Sequence, residues 1–217
     1  MHTIRVAYLP VLALVLAGCG MASTAGDRGW VALFSGKDLH GWEQINGSAR
    51  YEAKDGAIVG TSVPNSPNSF LCTKKRYGDF ELEFEVKVDK ELNSGVQIRS
   101  ESKPEYQNGR VHGYQVEIAV GGFSGGIYDE SRRNKFLNAD KPTDEIHALL
   151  KENAWNKYRV ICQVDHIQTW VNGRKVTDLR DDMTKTGFIG LQVHGVGNRA
   201  DPLHVAWRNL RLRELKP

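Results

Sequence analysis

From Phe80 to Val88 apolar and polar side chains alternate without a fault, so a strand there has one dry face and one wet face carrying Glu81, Glu83, Glu85 and Lys87. The same period of two predicts strands at 51–54, 57–59, 95–99, 114–120, 126–129, 157–164, 168–171, 174–177, 188–194 and 205–212. Asn172-Gly173 joins two of them and signals a hairpin, because both residues accept positive φ. A helical period occurs once: Thr143 can cap a segment 144–152 with Ile146, Leu149 and Leu150 on one face. Short strands, Gly-rich turns, one short helix and no strand–helix rhythm predict an all-β sandwich or barrel. No repeat or low-complexity tract divides it, so residues 30–217 are expected to form one domain.

Ahead of that domain the pattern changes. His2 and Arg5 are followed by residues 6–16, apolar apart from Tyr8 and Pro10, and then by Leu16-Ala-Gly-Cys19. Eleven residues of helix reach about 16 Å against a bilayer core of about 30 Å, so the segment reads as a cleaved export signal and not as a span. The Leu-Ala-Gly-Cys box resembles the lipobox of bacterial lipoproteins. That implies removal of residues 1–18, a lipid on Cys19 and a flexible tether over 19–29. The protein is then expected outside the cytoplasm, with the membrane as a partner through Cys19, anchored to the envelope and facing the periplasm. The net charge of +3 drops by one when Arg5 leaves with the signal. Basic residues are spread and not striped, which argues against a nucleic-acid partner. Cys72 and Cys162 lie in apolar strand-like runs, where a buried free thiol and a disulfide are both open.

Motifs for common chemistries fail on context. Gly122-Phe-Ser-Gly-Gly126 spells a nucleophile elbow, yet a strand follows where a helix is required. Gly195-Val-Gly-Asn-Arg-Ala200 half-matches a dinucleotide fingerprint without the strand–helix–strand unit it needs. Neither H-E-x-x-H nor paired C-x-x-C occurs.

The remaining chemistry lies on the second face of otherwise apolar strands. Gln97 and Arg99 alternate with Val96 and Ile98, Gln115 and Glu117 with Val116 and Ile118, and Gln192 and His194 with Leu191 and Val193. A merely wet face carries Lys, Glu and Thr, as 80–88 does. Gln, Arg, His and Glu instead hold a polyhydroxylated ligand by several hydrogen bonds. These six side chains are expected to point into one concave cleft. Trp42, Trp155, Trp170 and Trp207 are candidates to stack on a sugar ring, or to pack in the core.

Several stretches, in order along residues 30–215, resemble the bacterial 3-keto-disaccharide hydrolases, also called 3-keto-glucoside 1,2-lyase/3-keto-2-hydroxyglucal hydratase domains. Among them are Leu33-Phe-Ser-Gly-Lys-Asp-Leu-His-Gly-Trp42, Tyr77-Gly-Asp-Phe-Glu-Leu82, Asn93-Ser-Gly-Val-Gln-Ile-Arg99, Gly113-Tyr-Gln-Val-Glu-Ile118, Gly190-Leu-Gln-Val-His194 and Arg208-Asn-Leu-Arg-Leu212. The resemblance implies a concanavalin A-like jelly-roll sandwich and a carbohydrate substrate, cleaved as a 3-keto-glycoside by elimination and hydration.

A ketone at C3 acidifies the C2 hydrogen, so the C1 substituent can leave without an oxocarbenium route. Such a site needs a base, a positive group or metal at the enolate oxygen, and an acid for the leaving oxygen. Glu117 or His194 suits the base and Arg99 the enolate. Gln97, Gln115, Tyr128, Asp129, Gln192 and Trp155 would bind substrate. A divalent metal on Glu117, His194 and Asp129 is an open option by ligand type.

One departure stands out. Many members read Gly-Tyr-Glu-x-Gln where this chain has Gly113-Tyr-Gln115-Val-Glu117, which moves the acid two residues along on the same face. The sandwich hosts lectins as readily as enzymes, so a lipid-anchored carbohydrate-binding module without catalysis is the alternative reading. A structural envelope protein would have no pocket. The titratable set Arg99, Glu117 and His194 favours the enzyme.

Overall fold

A computed structural model describes residues 28–140 and 142–216. These fold into fourteen strands and one short helix. In chain order the strands are β1 (Trp30–Ala32), β2 (Trp42–Ile45), β3 (Arg50–Lys54), β4 (Ala57–Thr61), β5 (Ser69–Thr73), β6 (Phe80–Val88) and β7 (Ser94–Glu101). After them come β8 (His112–Ile118), β9 (Ile127–Glu130), α1 (Asp144–His147), β10 (Asn156–Gln163), β11 (His166–Val171), β12 (Arg174–Arg180), β13 (Phe188–Val193) and β14 (His204–Glu214). They form two antiparallel sheets. One has eight strands in the order β12-β11-β10-β6-β14-β4-β3, with β1 added on β14; the other has six, β2-β5-β13-β7-β8-β9. This is a jelly-roll sandwich, and nearly all of it is β.

The alternation in β6 does what its pattern demands. Phe80, Leu82, Phe84, Val86 and Val88 are buried between the sheets, facing Val96, Ile98, Val116 and Leu191 of the six-stranded sheet in one core. Each such side chain contributes roughly 1.5–3 kcal/mol by leaving water. Phe84 stacks on Tyr158 of β10 with ring centroids 5.0 Å apart. The opposite face is wet, and its carboxylates are paired: Arg159 and Arg213 hold Glu81, Arg211 holds Glu83, and Arg208 holds Glu85.

The Asn172-Gly173 hairpin has φ of 48° and 85°, as that dipeptide requires. The helix is shorter than its apolar spacing suggests, ending at His147 and not at residue 152. Two asparagines remove backbone partners from its continuation: Asn172 Nδ2 donates to the Leu149 carbonyl, and the Asn156 side chain bonds both the N–H and the carbonyl of Lys151. Strands β1, β2 and β5 lie outside the predicted set. All five residues of β5 are buried, so it shows no alternation to read.

Cys72 in β5 and Cys162 in β10 are buried free thiols on different sheets. Burial pushes the Cys162 thiol up to about 12. Ser124 is no nucleophile: its hydroxyl accepts from the Ala119 N–H and donates to the Ala119 carbonyl, closing a turn. The expected export signal, Cys19 and most of the expected tether fall outside the described residues. Among the described residues no helix is long and apolar enough to cross a membrane.

Candidate active site

Strand register builds the site on the outer face of the six-stranded sheet. One row of facing residues runs Phe70–Gln192–Gly95–Glu117 across β5, β13, β7 and β8. Two residues along, the next row on that face runs Cys72–Gly190–Gln97–Gln115–Tyr128 and reaches β9. Because neighbours are antiparallel, Asn68 before β5, Asn93 before β7 and His194 after β13 gather at the sheet end beside Glu117. Together with Arg110, Tyr128, Glu130 and Phe136 they line a cleft of about 320 Å3.

Glu117 is its floor, only 7 % exposed. A directed chain of hydrogen bonds ends on it. The Ser100 hydroxyl donates to Gln97 Oε1 (2.6 Å), Gln97 Nε2 to Gln115 Oε1 (2.8 Å), and Gln115 Nε2 to Glu117 Oε2 (3.2 Å). Asn93 Nδ2 donates to the other carboxylate oxygen. Gly95 leaves the space this chain occupies, since a Cβ there would stand 2.5 Å from the Gln115 amide carbon. Burial raises the Glu117 carboxyl above the ordinary glutamate range. The Asn93 and Gln115 donors and the charge of His194 pull it back, and the Glu130 carboxylate pushes it further up. Tyr128 is raised too, first by burial and then by Glu130 and Glu117, so its hydroxyl stays protonated at neutral pH. It is held edge-on to Phe136, ring centroids 5.3 Å apart. His194 is exposed on the rim, with Nδ1 2.8 Å from the Gly195 carbonyl. Gln97 and Gln192, expected to bind substrate, share this face but are wholly buried beneath it and do not line the cleft, and both amide atoms of Gln192 are unpartnered.

Three expected site residues are elsewhere. Arg99 sits at a bulge between Ile98 and Glu101 with φ of 47°, and the bulge breaks the period of two. Ser100 takes its place beside Gln97. The Arg99 guanidinium turns to the carbonyls of Gly78 and Val164 and to the Asp79 carboxylate, each at 2.8 Å, and is fully buried. Asp129 alternates with Tyr128 and so faces away, its carboxylate held by Arg132 and Arg133. Trp155 lies just before β10, beside the other sheet, where the Arg208 guanidinium covers its ring at 4.1 Å. With Asp129 turned away, Glu117 and His194 have no third metal ligand, and no group of three His, Cys, Asp or Glu suited to a metal occurs among the described residues. The residues present do not fit the metal set.

Glu130, Asn93, Asn68 and Arg110 are additions. Only Glu130 had a signal, since it lies two residues beyond Tyr128 on the same strand. A larger cavity of about 510 Å3 opens on the eight-stranded sheet beside Glu83, Glu85, Lys157 and Arg211. Its carboxylates are already paired with arginines, so the unspent acid–base groups favour the smaller cleft.

The model of the 3-keto-alpha-glucoside-1,2-lyase-like domain matches residues 29–213. The chain belongs to this family. Solved structures agree on the fold of this lyase-like domain. A candidate glycosyl hydrolase of Parabacteroides distasonis superposes with a TM-score of 0.64 at 19% identity, covering 90% of this chain and 99% of its own. The carbohydrate binding module CBM66 of Bacillus subtilis superposes with a TM-score of 0.60 at 15% identity, covering 80% and 96%. A search of curated proteins returns no match. Membership of the 3-keto-alpha-glucoside-1,2-lyase-like family makes this a carbohydrate-active domain.

Proposed function

We propose that this domain cleaves 3-keto-glycosides by elimination followed by hydration, with Glu117 as the base. The observation that carries this reading is the buried Glu117 carboxyl, raised in pKa and aimed by Asn93 and Gln115 into a cleft bordered by His194 and Tyr128. A general base works best when its pKa approaches the working pH. Glu117 takes the C2 proton, and the electron pair passes to the C3 oxygen as an enolate. The Tyr128 hydroxyl donates to that oxygen in place of the distant Arg99. As the enolate collapses, the C1–oxygen bond breaks and His194 supplies the proton to the leaving oxygen. Water then gives one proton to His194 and adds its hydroxyl at C1, and Glu117 returns its proton to C2, so both groups are restored and the net reaction is hydrolysis.

The test uses a 3-keto-disaccharide, the unoxidised sugar, and the keto sugar with deuterium at C2. Only the keto sugar should react, and deuterium should slow the first step or wash out into solvent. Equal turnover of keto and unoxidised sugars refutes the mechanism. The fold shared with CBM66 favours a second reading, glycan binding without turnover. Tight sugar binding by a wild type that turns over neither the keto nor the unoxidised sugar would select it. Anchoring through lipid on Cys19 outside the cytoplasm is part of the same proposal, because it places the domain where exported or imported glycans are met.

A further inference from the structure

We propose that the glycoside carries an anionic group on its aglycone and that Arg110 reads it; this rests on the glycoside reading of the cleft. Beyond Asn68 and Arg110 the cleft continues into a second lobe of about 310 Å3, floored by Phe70 and Pro67. Beyond Asn93 and His194 lies a smaller lobe of about 180 Å3, where Glu91 and Arg199 neutralise each other at 2.8 Å. Glu117 therefore lies mid-groove, with room for the aglycone on the Arg110 side.

The polar side chains of the second lobe are spent, except one. Asn46 donates to the Gly109 carbonyl (3.1 Å) and accepts from the Val111 N–H (2.8 Å). Asn68 accepts from the Gly195 N–H (3.0 Å), and Gln107 donates to the Ser131 carbonyl (3.3 Å). Arg110 is exposed, and its guanidinium has no ion pair or hydrogen bond with another described residue. Nearby Arg132, Arg133 and Arg199 each hold a carboxylate.

The backbone that presents Arg110 is nevertheless fixed from several sides. Asn46 grips the residues before and after it, its own N–H donates to the Tyr106 carbonyl (3.2 Å), and its carbonyl meets His112 Nδ1 (2.8 Å). The His112 ring in turn lies 4.0 Å from that of Tyr106. A held backbone with an unspent guanidinium fork is preorganised for a carboxylate, sulfate or phosphate. Glu117 and Glu130 in the middle lobe repel an anion, so charge orients the substrate: the neutral keto sugar over Glu117, the anionic aglycone at Arg110.

Calorimetric binding of unoxidised glycosides tests this apart from elimination. The probes are glucosyl-glucuronate and 4-carboxyphenyl glucoside, each against its neutral counterpart, glucosyl-glucose and 4-(hydroxymethyl)phenyl glucoside. The wild type should bind at least one acid about tenfold more tightly than its neutral partner, the scale of a charged hydrogen-bond pair. That ratio should fall to near unity in Arg110→Gln and be partly kept in Arg110→Lys. Preference for the uronate assigns a sugar acid and preference for the benzoate an aryl acid; either supports the proposal. Equal ratios in the wild type, no measurable binding of the acids, or an acid preference that survives Arg110→Gln overturns it. Elimination can fail while the acid preference stands, so the two readings fall separately.

Discussion

Burial and catalysis make opposite demands on Glu117. With its folded pKa raised, the folded state binds the Glu117 proton more tightly than the unfolded chain does. Stability is therefore greatest below the unfolded value of about 4.3 and is lost as pH rises from there through the folded value. Glu117→Gln should remove that part of the pH slope, so the variant gains on the wild type above the ordinary glutamate range and not below it. Urea denaturation across that window reads the difference, and a slope unchanged by the substitution refutes the assigned shift. The same variant should lose about 10²–10⁴-fold in kcat on a keto sugar, about 3–5 kcal/mol of transition-state stabilisation.

At the scale of elements, most strands and the residues on their faces are legible because antiparallel sheets with one buried side write a period of two into the chain. Gln97, Gln115, Glu117 and Gln192 share a face for that reason. Arg99 does not, because one residue in the left-handed region inverts the alternation and nothing in Gly95-Val-Gln-Ile-Arg99 announces the bulge. Asp129 could have been set aside on period alone, since Tyr128 and Asp129 point to opposite sides of β9. The cleft's Asn68, Asn93 and Arg110 come from loops, whose positions depend on the register of distant strands and carry no periodic mark. The corrected role of Arg99 is structural. Arg99→Gln should cost about 3 kcal/mol, because it leaves Asp79 and two carbonyls short of a fully buried donor. Chemical denaturation checks it. A stable variant with impaired catalysis would restore Arg99 to the site.

For the whole molecule, the lipobox-like Leu16-Ala-Gly-Cys19 lies outside the described residues, and we propose that it decides where the sandwich works. Cys19→Ser should move the protein out of the membrane fraction, and intact mass spectrometry should find acyl chains on the wild type alone. Partitioning that is unchanged, with no acyl mass, refutes anchoring. The chain of donors running from Ser100 to Glu117 also constrains how such a protein changes over generations. Position 115 must accept from Gln97 and donate onward; an amide does both and a carboxylate only the first. Exchanging amide and acid between 115 and 117 takes two substitutions. After the first, positions 115 and 117 hold either two abutting carboxylates or none. Two arrangements are thus separated by a poor intermediate, so 115 and 117 are expected to change together, and a relative with only one of the two exchanged should be rare.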